Sequence, residues 1–122
     1  MKSILAILAS LVLFSATVYV TVVPEIASIP ESGVCVVEFN ASFNSGNSVN
    51  WLDNLSDCKG KRIDIATDPS MQKEHKIVVV PTIIVFNDGE EIERFQANIM
   101  MQLEATENDV QEIIDEILMS SF

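Results

Sequence analysis

The chain has 122 residues, 48% of them hydrophobic, which is enough for one domain and an appendage. Seven Lys and Arg stand against 18 Asp and Glu, a formal net charge of −11. That balance argues against a nucleic-acid ligand, whose phosphates need Lys and Arg, and against a domain resting on anionic lipid. Two Cys and a single His give no metal-ligand cluster, so neither a metal nor another cofactor is expected. The acidity reads as a solubilising surface, with an acidic groove for a basic partner as the alternative.

From Ser3 to Val23 the chain carries no charge and consists mostly of Leu, Ile, Val, Ala and Phe. At about 1.5 Å per residue a helix over this run spans roughly 31 Å, the thickness of a bilayer's hydrocarbon core. Lys2 precedes the run, whereas Glu25 and Glu31 follow it. The positive-inside tendency then keeps the N-terminus cytoplasmic and sends the domain across the membrane, to a periplasmic, lumenal or extracellular side. Residues 1–23 are therefore expected to be a single-pass signal anchor. A cleaved signal peptide, giving a secreted soluble domain, is the competing reading. Its best cleavage candidate, Phe14-Ser15-Ala16, puts a bulky residue where a small one is needed. Pro24, Pro30, Ser32 and their small neighbours make 24–32 a stiff linker, leaving 33–122 as the domain.

Within the domain, Val34 to Phe39 is an apolar β-prone run, suited to a strand covered on both faces. Polar residues Asn44 to Asn50 follow, and Trp51, Leu52 and Leu55 predict a helix of two or three turns. Lys61 to Ala66 reads as a second strand. Asp68-Pro69 reads as a capped helix start, the helix carrying Met71 to Lys76. Thr82 to Phe86 is a third apolar strand, and Asn87-Asp88-Gly89 is a hairpin signal that returns Glu91 to Phe95 antiparallel. Thr106 and Asp109 form a capping-box pattern, followed by Val110, Ile113, Ile114, Ile117 and Leu118 at helical spacing. The order predicts an α/β fold with parallel strands and an antiparallel edge.

Three segments in this order resemble the thioredoxin family. Val36-Val37-Glu38-Phe39-Asn40-Ala41-Ser42-Phe43 resembles its central strand and the turn at its active site. Asp68-Pro69 through His75-Lys76-Ile77 resembles the helix after the next strand. Val80-Pro81-Thr82-Ile83-Ile84-Val85-Phe86 with Asn87-Asp88-Gly89-Glu90 resembles the segment that begins at the family's cis-proline. The resemblance implies a thioredoxin-like fold, a central mixed sheet flanked by helices. It also implies a cis bond before Pro81 and a surface at Val80 that holds extended peptides by backbone hydrogen bonds.

The same alignment exposes a departure. Family members place Trp-Cys-x-x-Cys after the central strand, at a helix end that lowers the thiol pKa and yields an attacking thiolate. A second thiol then resolves the mixed disulfide. Here the matching stretch is Phe43-Asn44-Ser45-Gly46-Asn47, and asparagine offers no such nucleophile. The family's buried acid matches Glu38, which reads as a hydrogen-bonded or partly hydrated carboxylate with no resolving thiol to serve. The chain is also shorter than typical members between Asn44 and Pro69 by roughly two helical turns, where Trp51 can compensate by its size.

Cys35 and Cys58 fall near the starting ends of neighbouring strands, and their residues leave three states open. They are a structural disulfide, two buried thiols acting as small hydrophobes, or a redox-active pair. His75 reads as a packing or surface residue, since no nucleophile accompanies it. The acidic residues of the last helix read as its solvated face. Met100, Met101 and Leu103 read first as core, with an adaptable partner-binding surface as the alternative. Asn40-Ala41-Ser42 and Asn54-Leu55-Ser56 match the glycosylation pattern but arise readily by chance.

The function expected is a non-enzymatic, membrane-tethered binding or assembly module, including a structural subunit of a membrane complex or membrane-containing particle. Its protein partner would sit at Asn44, Ser45, Gly46, Asn47, Val80 and Pro81, or against the Met-containing insertion. The alternatives are a thiol-disulfide oxidoreductase using Cys35 and Cys58, and the secreted domain.

Overall fold

The computed structural model describes residues 28–122. The apolar run 3–23 and the start of the linker lie outside the described residues. Among the described residues no helix is long and apolar enough to cross a membrane. Four strands, β1 (Val34–Asn40), β2 (Lys59–Asp64), β3 (Thr82–Asn87) and β4 (Glu90–Gln96), form one sheet in the order β2-β1-β3-β4. Two α-helices, α1 (Pro69–Glu74) and α2 (Glu107–Ser120), complete the frame.

β1 is the central strand because every one of its residues is buried, as an unbroken V-C-V-V-E-F-N run must be to avoid wetting apolar surface. It pairs parallel with β2 and antiparallel with β3, which in turn pairs antiparallel with β4. The sheet is therefore mixed. Reversal reaches β3 as well as the edge strand, so only β1 and β2 keep the expected parallel pairing. Asp88 (φ 52°) and Gly89 (φ 84°) close the β3–β4 hairpin with two left-handed residues, the geometry whose twist matches antiparallel strands.

Alternation along the strands sorts the core into two layers. Val34, Val36, Ile83 and Val85 face Val110, Ile114 and Ile117 of α2. Cys35, Val37, Phe39, Ile84 and Phe86 face Met71 of α1 and Ile77. α2 begins in the expected capping box: Asp109 N–H donates to Thr106 Oγ1, and Thr106 N–H donates to Asp109 Oδ2. α1 starts with Pro69 in its first turn, but the Asp68 side chain caps no helix N–H; its Oδ1 accepts the Ser70 hydroxyl instead. Arg94 of β4 fastens the far end of α1, donating to the His75 and Lys76 carbonyls. Its hydrogen bonds to Glu91 hold that carboxyl below its ordinary pKa.

The largest difference from expectation lies after β1. The helix expected around Trp51 is replaced by two short 3-10 turns, Ser42–Asn47 and Leu52–Asn54. A run of Ser, Asn and Gly competes with a helix through side-chain hydrogen bonds to its own backbone, and too few residues remain for a longer element. Leu52 and Val49 are buried against the α2 layer, with Trp51 and Leu55 partly buried beside them. Gly60 makes room here, because a Cβ at that position would meet Leu52 Cγ at 3.3 Å. Residues of the expected linker also join the body: Ile29 packs on the α1 layer and Lys61 Nζ donates to the Ser28 carbonyl (2.9 Å).

Ile114 is fully buried at the centre of the α2 layer. Ile114→Ala should lower the unfolding free energy by ~3 kcal/mol, read as a lower urea midpoint at constant m-value.

Candidate functional site

The C-terminal end of β1, the first 3-10 turn and the Val80-Pro81 bond converge on one corner of the sheet. The peptide bond before Pro81 is cis. Asn44, in the turn after β1, is 5% exposed. Its side-chain Nδ2 donates to Asn40 Oδ1 (3.1 Å), the Val80 carbonyl (3.3 Å) and the Met101 carbonyl (3.2 Å). Two N–H groups thus serve three oxygens, so one bond is shared. Asn44 Oδ1 accepts from Asn47 Nδ2 (2.8 Å), while Asn40 Nδ2 donates to the Asn44 carbonyl (3.1 Å) and Ser48 Oγ (2.8 Å). Among the described residues no buried side-chain polar atom is left without a partner. A carboxamide can knit such a node because it donates and accepts at once. A thiol cannot.

Of the residues expected at the binding site, Asn44, Asn47 and Val80 are thus tied together, with Pro81 buried beside them and Ser45 and Gly46 exposed on the turn. The node changes what Val80 offers. Its carbonyl is already taken by Asn44, while its N–H makes no hydrogen bond among the described residues. Val80 itself is buried, and beside it opens an apolar hollow of about 300 Å³. Phe43, Ile65, Val78, Val80, Ile99 and Met101 line much of it, and no charged side chain does. Phe43, Val78 and Ile99 are 74%, 76% and 98% exposed. Met100 and Met101 are exposed too, so the insertion is surface rather than the core expected first; Leu103 is partly buried against the α2 layer. Met101 takes a left-handed backbone (φ 58°), a conformation that costs a side-chain-bearing residue about 1 kcal/mol. Its N–H bonds to Asn98 and its carbonyl to Asn44 hold it there.

Glu38, 1% exposed, lies one register step from this corner. Its Oε2 accepts the Val49 N–H (2.8 Å) and its Oε1 accepts Arg62 Nε (3.1 Å), while Arg62 Nη2 donates to the Val49 carbonyl (2.7 Å). The carboxylate is therefore hydrogen-bonded and paired. The guanidinium fork pins the segment after the turn to β2. Asn40 is buried in the node, so its glycosylation pattern is inaccessible in the fold. His75 is a packing residue, its ring 5.4 Å from those of both Phe39 and Phe86.

Cys35 and Cys58 are both free thiols in the structure. Cys35 belongs to the α1 layer, whereas Cys58 packs against the α2 layer. Burial pushes both thiols above the ordinary cysteine value; Lys61 and Lys59 partly oppose this at Cys35, while Cys35 and Asp57 reinforce it at Cys58. Neither stands among the residues around Asn44.

Sequence reading missed Asn40, Ser48, Arg62 and the exposed Phe43, Val78 and Ile99 as parts of this corner. An Arg directly in register with a buried acid was the available signal for Arg62. The node partners of Asn44 carry none, being 36 and 57 residues away.

No protein-family profile matches the chain, and no curated relative does. Solved structures do. A thioredoxin variant from Halobacterium salinarum superposes with a TM-score of 0.56 at 21% identity, over 70% of this chain and 74% of that one. The fold is thioredoxin-like. The reduced Schistosoma mansoni thioredoxin pre-protein gives 0.57 at 19% identity, over 70% and 80%. Mitochondrial thioredoxin 3 of Saccharomyces cerevisiae gives 0.51 at 16%, again over 70% and 80%. On this thioredoxin-like frame the two cysteines are not arranged as a Cys-x-x-Cys pair.

Asn44→Ala removes the Nδ2 donor that bonds the Val80 and Met101 carbonyls and the Oδ1 acceptor that takes Asn47 Nδ2. It should lower the unfolding free energy by ~2–3 kcal/mol, with faster amide exchange at Asn98 and Met101.

Proposed function

We propose that this chain is a redox-inactive, thioredoxin-like binding or assembly module, tethered to a membrane by residues 1–23, that receives a protein partner at the Asn44–Val80 corner. The observation that carries this reading is the buried Asn44 carboxamide, in the turn that by resemblance would hold the thiols. It is bonded to the Val80 carbonyl beside an uncharged hollow rimmed by exposed Phe43, Val78 and Ile99. Such a corner offers shape and apolar surface, with no electron pair to exchange. An exposed apolar rim on a strongly acidic chain is costly in water unless something covers it. A partner would bury the rim side chains and meet Val80 through its free N–H alone.

Nothing in the structure favours the oxidoreductase alternative. Cys35 and Cys58 belong to opposite layers, away from the corner, and both hold their protons more tightly than an ordinary cysteine.

Two measurements test the proposal. The full chain should not reduce insulin, and iodoacetamide should label its folded thiols slowly at pH 7, with labelling accelerating only above about pH 9 as they ionise. Turnover that disappears in Cys35→Ser or Cys58→Ser would contradict it. A photocrosslinker at Ile99, in native membranes, should capture a discrete protein that Val78→Asp releases; capture of lipid alone would also contradict the reading.

A further inference from the structure

Of the seven basic residues in the chain, three fall within four positions on β2: Lys59, Lys61 and Arg62. β2 is also an outer strand of the sheet, and among the described residues the Asp64 carbonyl at its end is the one backbone group hydrogen-bonded on its free side, accepting from the Thr67 and Asp68 N–H groups. Lys59, Gly60 and Arg62 of the strand are exposed, and Leu52 packs over it at Gly60. An open strand edge is a template for another extended chain.

Register decides which charges face such a chain. Lys59 and Lys61 align with Cys35 and Val37, so both project to the α1 side, about 6.6 Å apart along the strand. Arg62 projects to the other side and is committed to Glu38 and the Val49 carbonyl. Lys61 shares its ammonium with the Ser28 carbonyl, and Lys59 is exposed. The opposite edge, β4, carries Glu90, Glu91 and Glu93 with a single Arg94. The two open edges therefore have opposite sign, and general protection of edges by charge does not account for the placing of lysines on β2 alone.

We propose that the outer edge of β2 docks an extended acidic segment of a partner protein, paired through its backbone and selected by Lys59 and Lys61. This rests on the strand edge and its charge, independently of the Asn44 corner. A nucleic acid or an anionic lipid surface offers negative charge to the lysines but no strand-like amides to the edge. An acidic strand supplies both. Carboxylates on alternate residues match the lysine spacing.

The test uses the full chain in detergent micelles and a labelled synthetic peptide, acetyl-Gly-Glu-Val-Glu-Val-Glu-Gly-amide. Binding is expected to weaken as salt rises, and the β2 amides that face away from β1 should gain protection from exchange. Lys59→Glu with Lys61→Glu should weaken binding about tenfold or more. Lys73→Glu with Lys76→Glu, the same change in net charge on and after α1, should weaken it less than about twofold. A peptide N-methylated at alternate residues keeps its carboxylates and should bind wild type poorly. The proposal is overturned by absent binding, by equal loss in both double variants, or by undiminished binding of the N-methylated peptide. Peptide-independent self-association that buries the β2 edge would overturn it too.

Discussion

One carboxamide holds the cis-proline corner of this molecule together. Asn44 Nδ2 reaches the end of β1, the carbonyl before the cis-proline and the Met101 loop, while its oxygen takes the Asn47 amide. Buried amides are costly when unpaired, so a satisfied set of this kind fixes geometry more firmly than any single bond's net worth implies. The carboxamide is thereby a crosslink between three chain segments. A backbone acceptor that a bound peptide could have used is consumed internally, leaving an N–H and an apolar hollow.

The Glu38–Arg62 pair supports the same corner from beneath. With only 3-10 turns after β1, the segment Ser48 to Leu55 lacks the hydrogen-bonded framework of a helix. Arg62 replaces it by bridging a buried carboxylate to the Val49 carbonyl, while Glu38 takes the Val49 N–H. Removing Arg62 would leave the Glu38 charge in the core, whereas removing Glu38 would release a guanidinium that is 44% exposed. Val49 and Leu52 then reach the α2 layer and Trp51 fills the space beside them. The shortened connection is thus compensated by one ion pair and a few large side chains.

Much of the frame was legible because local signals agreed with one another. The unbroken apolar β1, the Asp88-Gly89 turn and the Thr106–Asp109 cap each depend on residues near in sequence, and each is present. The 3.6-residue spacing of Val110, Ile114 and Ile117 predicted the buried face of α2 for the same reason. The turns after β1 were misread because Trp51, Leu52 and Leu55 have helical spacing, yet Ser, Asn and Gly before them prefer turns. Likeness singles out Asn44 and sets it beside Val80, but its hydrogen bonds to Val80 and Met101 form only through the tertiary fold. The exposure of Met101 was hidden too: a methionine reads as core until a left-handed turn carries it to the surface.

The central claim is that Asn44 is a buried structural node. Hydrogen exchange of its side-chain NH2 group, followed by NMR on amide-labelled full chain, addresses this directly. Exchange slowed by orders of magnitude relative to exposed Asn50 and Asn54 is the expected result. Exchange of Asn44 at the rate of those two would contradict the account.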